Sequence, residues 1–189
     1  FGHLSCMCGS DASRDAFMSN DPIAVDAVST AVDVLTLGEI DLAEAVALLA
    51  RHGLRLALID DGAEIPGSYW GEREAGLIGS TVYARRDTPV HSLLHEACHL
   101  IVIPPELRAR VHTDASDSQF EEDATCYLQL LLADELGGFG MERAFADMDA
   151  WGYSFRLGSA KAWFERDAED AAAFLESLPH LSGPQHSGL

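Results

Sequence analysis

The chain has 189 residues, 48% of them hydrophobic, and a formal net charge of −19. This length suits one domain with a sizeable core, and no apolar run approaches the length of a membrane span. Nucleic-acid binding draws on clustered lysine and arginine, whereas Lys161 is the only lysine and the arginines are scattered. The composition therefore predicts a protein that binds neither nucleic acid nor membrane, and whose acidity serves solubility.

The spacing of the four cysteines is not that of a disulfide framework. Cys6 and Cys8 are too close in sequence for an ordinary structural bridge. Cys98 and Cys126 lie in predicted helices, where they are expected to behave as small core residues. The cysteines therefore predict a reducing, cytoplasmic setting.

Both ends of the sequence are predicted to lie outside the folded domain. Residues 1–20 lack clear periodicity and are rich in Ser, Asp and Gly, which favours a mobile tail. Residues 181–189 are rich in Ser and Gly, which favours a frayed end, and His180 and His186 are expected to be solvated. The predicted domain covers residues 21–180.

Helical and extended patterns alternate in the first half of the chain. Periodic apolar residues predict helices over residues 22–37 and 41–51, and an apolar run predicts a strand over residues 54–59. The aromatic loop at residues 63–75 either covers a cleft or packs on the domain. Residues 76–85 predict a second strand, whose two glycines indicate a bulge and which is able to pair with an extended peptide by edge addition.

Residues 88–102, with the sequence TPVHSLLHEACHLIV, are predicted to form the central helix. Thr88 is expected to cap it, and Pro89 suits the first helical position because proline has no N–H to leave unsatisfied. At 100° per residue the apolar side chains fall on one side, whereas His95 and His99 lie one turn apart on the other. Both imidazoles are therefore able to reach one ion.

His95, Glu96 and His99 form the pattern H-E-x-x-H, which is typical of hydrolytic metal sites. Glu96 lies about 100° around the helix from His95, within reach of a water but not as a ligand. The alternative is a fortuitous pair of helix histidines. The cap, the amphipathic pattern and a downstream acidic cluster together favour the metal site.

The second half of the sequence is predicted to be mainly helical. Pro104 and Pro105 end the central helix, and further helices are predicted over residues 119–136 and 141–151. Residues 159–178 fit either one broken helix or two short ones. The sequence thus predicts an α+β domain, mainly helical, with a small mixed sheet beside the H-E-x-x-H helix.

A third protein ligand is expected from Glu121, Glu122 or Asp123, since a catalytic zinc site has three. On a helical wheel, Glu121 lies about 60° from the centre of the apolar stripe, Asp123 about 100° and Glu122 about 160°. Glu121 is therefore predicted as the ligand, because burying its charge without a cation would be costly. Glu122 and Asp123 are predicted to be a solvated acidic first turn.

The segments HEACH (95–99) and EEDATCY (121–127) together resemble gluzincin-type metallopeptidases, most of all the small ImmA/IrrE-like branch. The second motif of that branch is E-x-x-A-N-x-F, from which this chain departs at Thr125 and Tyr127. The region 69–164 is also similar to uncharacterised bacterial metallopeptidase-like proteins. The sequence given does not predict the helix-turn-helix region that some relatives carry.

This resemblance implies a zincin-like domain that holds one zinc ion. By position in the motifs, His95, His99 and Glu121 would be the ligands and Glu96 the general base. The activity implied is zinc-dependent hydrolysis of peptide or amide bonds in a peptide or protein substrate. The alternative is a catalytically inactive metallopeptidase-like module with a binding or regulatory role.

Four further residues are candidates for the surroundings of the site. His91, one turn before His95, is expected to orient a ligand, to contact substrate or to lie on the helix surface. His112, Tyr153 and Tyr83 are candidates for stabilising a developing oxyanion, as hydrogen-bond donors do in acyl transfer. The sequence does not choose among these three.

Overall fold

The computed structural model describes residues 33–69, 71–113 and 118–181, and within these ranges the protein has the predicted α+β fold. In this part of the chain, six α-helices accompany a three-stranded sheet. In chain order the elements are α1 Leu42–Arg51, β1 Arg55–Leu58, β2 Gly76–Ile78, β3 Thr81–Ala84, α2 Val90–Val102, α3 Gln119–Ala133, α4 Gly140–Trp151, α5 Ala160–Arg166 and α6 Glu169–Ser177. Two 3₁₀ helices, Leu37–Glu39 and Pro105–Arg110, complete them. No helix in the described part of the chain is long and apolar enough to cross a membrane.

The sheet is mixed, with β3 in the centre, parallel to β1 and antiparallel to β2. The single strand predicted over residues 76–85 is therefore two strands joined by a tight turn. Gly79 adopts a φ of 60° in that turn, a conformation that glycine reaches without steric cost. The two glycines that suggested a bulge thus belong to a hairpin.

Peptide addition along residues 76–85 does not agree with this topology. Both edges of β3 are already paired. On the outer side of β2, the Leu77 N–H donates to the Gly67 carbonyl at 3.2 Å, and the Leu77 carbonyl accepts from the Thr113 N–H at 3.0 Å. The backbone groups of Leu77 that an added strand would need are therefore occupied by the chain itself.

Helix α2 is the centre of the molecule and packs against α3, α4 and β3. Of its side chains, His95 and Glu96 alone are not fully buried. The predicted cap is wrong: Pro89 occupies the cap position, and the Thr88 hydroxyl instead accepts from the Arg85 N–H at 2.9 Å. The Val90 N–H donates to the Leu35 carbonyl at 2.9 Å.

Arg108 connects the carboxyl-terminal ends of α2 and α1. Its Nε donates to the Leu100 carbonyl at 2.6 Å, and its Nη1 donates to the His52 carbonyl at 2.9 Å. The guanidinium is buried, and burial lowers its pKa. Carbonyl groups at the end of a helix lack partners within the helix, so Arg108 satisfies groups that would otherwise be unpaired.

The remaining predictions of secondary structure have mixed outcomes. Helix α1 and strand β1 confirm the predictions over residues 41–51 and 54–59. Residues 159–178 form two short helices, the second of the two alternatives. The helix predicted over residues 22–37 is wrong at residues 33–36, which are not helical, and its earlier part lies outside the described residues.

The predictions for the two ends of the chain fall almost entirely outside the described residues. The prediction for His180 falls within the described residues and is wrong. His180 was expected to be solvated, but it is partly buried, and its Nε2 lies 3.1 Å from the carbonyl oxygen of Ile101 in α2. The segment that follows α6 therefore contacts the central helix.

Candidate metal centre

The two motif histidines lie together on the side of α2 that faces α3. The Nε2 atoms of His95 and His99 are 3.1 Å apart, and the rings meet edge to face at 82°. This arrangement follows from the spacing of four residues, which places side chains one turn apart on the same helical face. At 3.1 Å the two Nε2 atoms cannot both carry hydrogen, so at least one presents a lone pair.

The carboxylate that α3 places against both imidazoles is that of Glu122. Its Oε1 lies 3.3 Å from the His95 Nε2, and its Oε2 lies 3.6 Å from the His99 Nε2. Glu122, rather than the predicted Glu121, therefore lies against the histidine pair, and the prediction that Glu122 is merely solvated is wrong. The backbone N–H of Glu121 donates to the Ser118 hydroxyl, which caps α3.

The error has a physical cause in how α3 is buried. The apolar stripe used for the prediction included Phe120 and Leu131, but these side chains are 61% and 37% exposed. The face that α3 turns toward α2 is polar, with Glu122, Thr125 and Gln129 at intervals of three and four residues. The missed signal was this polar stripe, which pairs with the histidine stripe of α2 rather than with water.

Thr125 and Gln129 contact the ring atoms of the histidines that face away from Glu122. The Gln129 Oε1 lies 3.1 Å from the His95 Nδ1, and the Thr125 Oγ1 lies 3.3 Å from the His99 Nδ1. Both polar side chains are completely buried. Groups of this kind orient the imidazoles that bind a metal.

The electrostatics of the pocket favour the protonation states that bind metal. Burial, together with the neighbouring His95, lowers the pKa of His99 to about 3, so its ring is neutral near pH 7. Burial raises the pKa of Glu122, but its contacts with His95 and His99 together have the larger effect, and the pKa of this carboxyl is lowered. A neutral imidazole and an ionised carboxylate are the ligand forms that zinc requires.

These residues fit a cation well. Two imidazole nitrogens and one carboxylate are the protein donor set of many catalytic zinc sites. An oxygen of Glu96 and a ring nitrogen from each of His95 and His99 lie within 4.8 Å of one another. Glu96 is partly exposed, so it lies at the site without being enclosed in the core.

Both described cysteines are buried core residues, as predicted. Burial raises the pKa of the Cys98 thiol, which keeps it protonated. Cys126 also lies beside the candidate metal site, which was not predicted. Its Sγ, a ring nitrogen of His95 and an oxygen of Glu122 lie within 4.8 Å of one another.

His91 is completely buried, so of its three expected roles that of a helix-surface residue is wrong. Its ring packs against the rings of Trp151 at 5.2 Å and Tyr153 at 5.6 Å. Neither ring nitrogen has a hydrogen-bond partner within the described ranges. Burial lowers its pKa to about 3, so the ring is neutral.

The oxyanion candidates lie in different places. The ring of Tyr153 meets the His95 ring edge-on, with centroids 5.6 Å apart, so Tyr153 belongs to the site. His112 is exposed, and its Nδ1 lies 2.9 Å from the Thr113 hydroxyl beside the end of β2. Tyr83 lies in the middle of β3, where it pairs with Ala57 and Gly76.

Glu74 is an acidic residue near the site that the sequence analysis missed. Its Oε1 accepts a hydrogen bond from the Trp151 Nε1 at 3.1 Å. Burial raises the pKa of Glu74 against the opposing effects of this hydrogen bond and of the His95 charge. Its position, just before β2 in a loop of irregular structure, carried no sequence pattern that marked it.

Comparison of the chain with protein-family models, with curated proteins and with solved structures gives no match.

Proposed function

We propose that the protein is a zinc-dependent hydrolase of peptide or amide bonds. The observation that carries this proposal is the convergence of the His95 and His99 Nε2 atoms with the Glu122 carboxylate, at distances of 3.1 to 3.6 Å. Three protein ligands, rather than four, are typical of zinc sites that keep a position for water or substrate.

When bound, zinc supplies a Lewis acid that polarises a carbonyl group and lowers the pKa of water. The chain supplies the rest of the chemistry. Glu96 is suited to be the general base, because its carboxylate lies beside both histidines and is partly open to solvent. In this mechanism Glu96 takes a proton from the attacking water and returns it to the leaving nitrogen.

Among the three oxyanion candidates, Tyr153 is the one whose ring contacts His95. Its ring packs edge-on against the rings of both His91 and His95, which keeps the side chain beside the histidines of α2. A phenolic hydroxyl is a hydrogen-bond donor, and donors of this kind stabilise the oxyanion that develops during acyl transfer. His112 is exposed beside β2 and is a weaker choice for this role.

The substitution Glu96→Gln tests the proposal. The variant should retain zinc, because none of the ligands is altered, and should lose turnover by about 10²–10⁴-fold, because the amide cannot accept the proton. Zinc content is measured by elemental analysis of the purified protein, and turnover by cleavage of a peptide library with and without a chelator. Glu121→Gln is the matched control, since it makes the same chemical change beside the site.

Two outcomes would contradict the proposal. If Glu96→Gln cleaves peptides as fast as the parent, Glu96 is not the base. If the parent protein binds zinc tightly but cleaves no member of the library, the alternative of a metal-containing binding or regulatory module replaces the hydrolase.

A further inference from the structure

We infer that Gln129 is a positioning residue that holds His95 in the tautomer with hydrogen on Nδ1, so that Nε2 presents its lone pair to a cation. The inference rests on the metal site proposed above, but it concerns a property of the metal-free protein. It is carried by two hydrogen bonds of one buried amide, to the ring of His95 and to the backbone of His91.

The orientation of the amide is determined by its nitrogen. The Gln129 Nε2 lies 2.9 Å from the His91 carbonyl oxygen, and a carbonyl accepts but never donates. The nitrogen of the amide therefore faces His91, which leaves Oε1 facing the His95 Nδ1 at 3.1 Å. The reversed amide would place two oxygen atoms against each other and would lose the hydrogen bond to His91.

The orientation of the amide in turn determines the tautomer of His95. An amide oxygen only accepts hydrogen bonds, so the His95 Nδ1 has to be the donor. The other nitrogen is then the one that gives up any hydrogen it shares with a carboxylate and presents a lone pair when a cation binds. That nitrogen, Nε2, is the atom that faces the His99 Nε2 and the Glu122 carboxylate.

Burial strengthens the two hydrogen bonds of the Gln129 amide. Gln129 is completely buried, so no bulk water competes for either end of its amide. His91 and His95 are one turn apart on α2, and Gln129 contacts the first by its nitrogen and the second by its oxygen. The amide therefore clamps a single turn of the helix, which fixes the direction of the His95 ring as well as its proton.

Thr125 does not supply an equivalent constraint on His99. Its hydroxyl lies 3.3 Å from the His99 Nδ1, but a hydroxyl either donates or accepts. The contact is therefore compatible with both tautomers of His99. The contact with Gln129 therefore requires hydrogen on the His95 Nδ1, whereas the contact with Thr125 leaves the tautomer of His99 open.

Two variants separate positioning from packing. Gln129→Met keeps roughly the volume of the side chain but removes the acceptor for His95, whereas Gln129→Glu keeps that acceptor, loses the donor to the His91 carbonyl and adds a buried charge. If Gln129 positions His95, zinc affinity should fall by about 10–100-fold in Gln129→Met and by less in Gln129→Glu. If Gln129 only fills space, the order reverses, because Met is tolerated in a core and a buried charge is not. Gln119→Met, on the exposed first turn of α3, is the matched control and should bind zinc like the parent.

The decisive measurement is the tautomer of His95 in the metal-free parent protein, read from its ring nitrogen shifts by NMR at mildly alkaline pH. We expect hydrogen on Nδ1 in the parent and a loss of that preference in Gln129→Met. Hydrogen on Nε2 with none on Nδ1 in the parent would overturn the inference, whether or not the variants fold. If the parent shows the Nδ1–H tautomer but cleaves no peptide, the inference stands and the proposed hydrolase does not.

Discussion

Replacing Glu122 by Gln should weaken zinc binding strongly, whereas replacing Glu121 by Gln should leave it unchanged. The two residues are adjacent on α3 and both lie in its first turn, so each substitution makes the same chemical change at nearly the same place in the helix. They differ in that the Glu122 carboxylate lies 3.3 Å and 3.6 Å from the two imidazole Nε2 atoms. The pair of variants therefore measures which carboxylate belongs to the site.

The size of the effect follows from the number of ligands. Structural zinc sites with four protein ligands bind with about 10–16 kcal/mol, or about 2.5–4 kcal/mol for each ligand. Since about 1.4 kcal/mol corresponds to a tenfold change in affinity, the loss of Glu122 should cost about 10²–10³-fold. The amide of the variant keeps one oxygen that is able to coordinate, so we expect a value toward the lower end.

Competition against a chromophoric chelator gives the dissociation constants of the two variants and the parent. Thermal unfolding of the metal-free proteins checks that both variants are folded. The reasoning would be refuted if Glu121→Gln lost zinc and Glu122→Gln kept it. That result would mean that α3 is turned by about one residue, or 100°, from the arrangement described above.

Two further predictions concern the stability of the scaffold. Arg108→Met should lower the free energy of unfolding by about 1–3 kcal/mol, because the buried carbonyl of Leu100 and the partly buried carbonyl of His52 lose their donor. Urea unfolding measures this free energy, and Arg110→Met, at an exposed position, is the control. Equal stability of the Arg108→Met and Arg110→Met variants would contradict the role of Arg108. Gly76→Ala should destabilise by about 1–3 kcal/mol, because its Cβ would overlap the backbone of the preceding loop. A melting temperature equal to that of the parent would show that this loop moves aside freely.

The histidine pair could be predicted because it depends on local geometry alone. A helix over residues 88–102 was expected from its apolar period, and α2 covers Val90–Val102. Once this helix exists, the spacing of four residues places the side chains of His95 and His99 side by side wherever the helix packs. The same holds for α1 and β1, whose patterns are contained in a few consecutive residues.

The carboxylate could not be predicted in this way, because its choice depends on how one helix is turned toward another. A helical wheel finds the apolar side of α3, yet the side that meets α2 is the polar one that carries Glu122, Thr125 and Gln129. Burial of these groups is made possible by partners on α2, which are distant in sequence. The apolar pattern of α3 contains no information about those partners.

Sheet order and the burial of His91 and His180 were decided by tertiary structure for the same reason. Two strands can be recognised from alternation, but the location of β3 between β1 and β2 depends on pairing across a separation of 26 residues between Arg55 and Thr81. The sequence by itself therefore determined which helix carries the two imidazoles and how far apart they lie, since both follow from contacts within one turn. Tertiary packing alone decided which acid joins them and which amide orients them, since those contacts form between segments that share no local pattern.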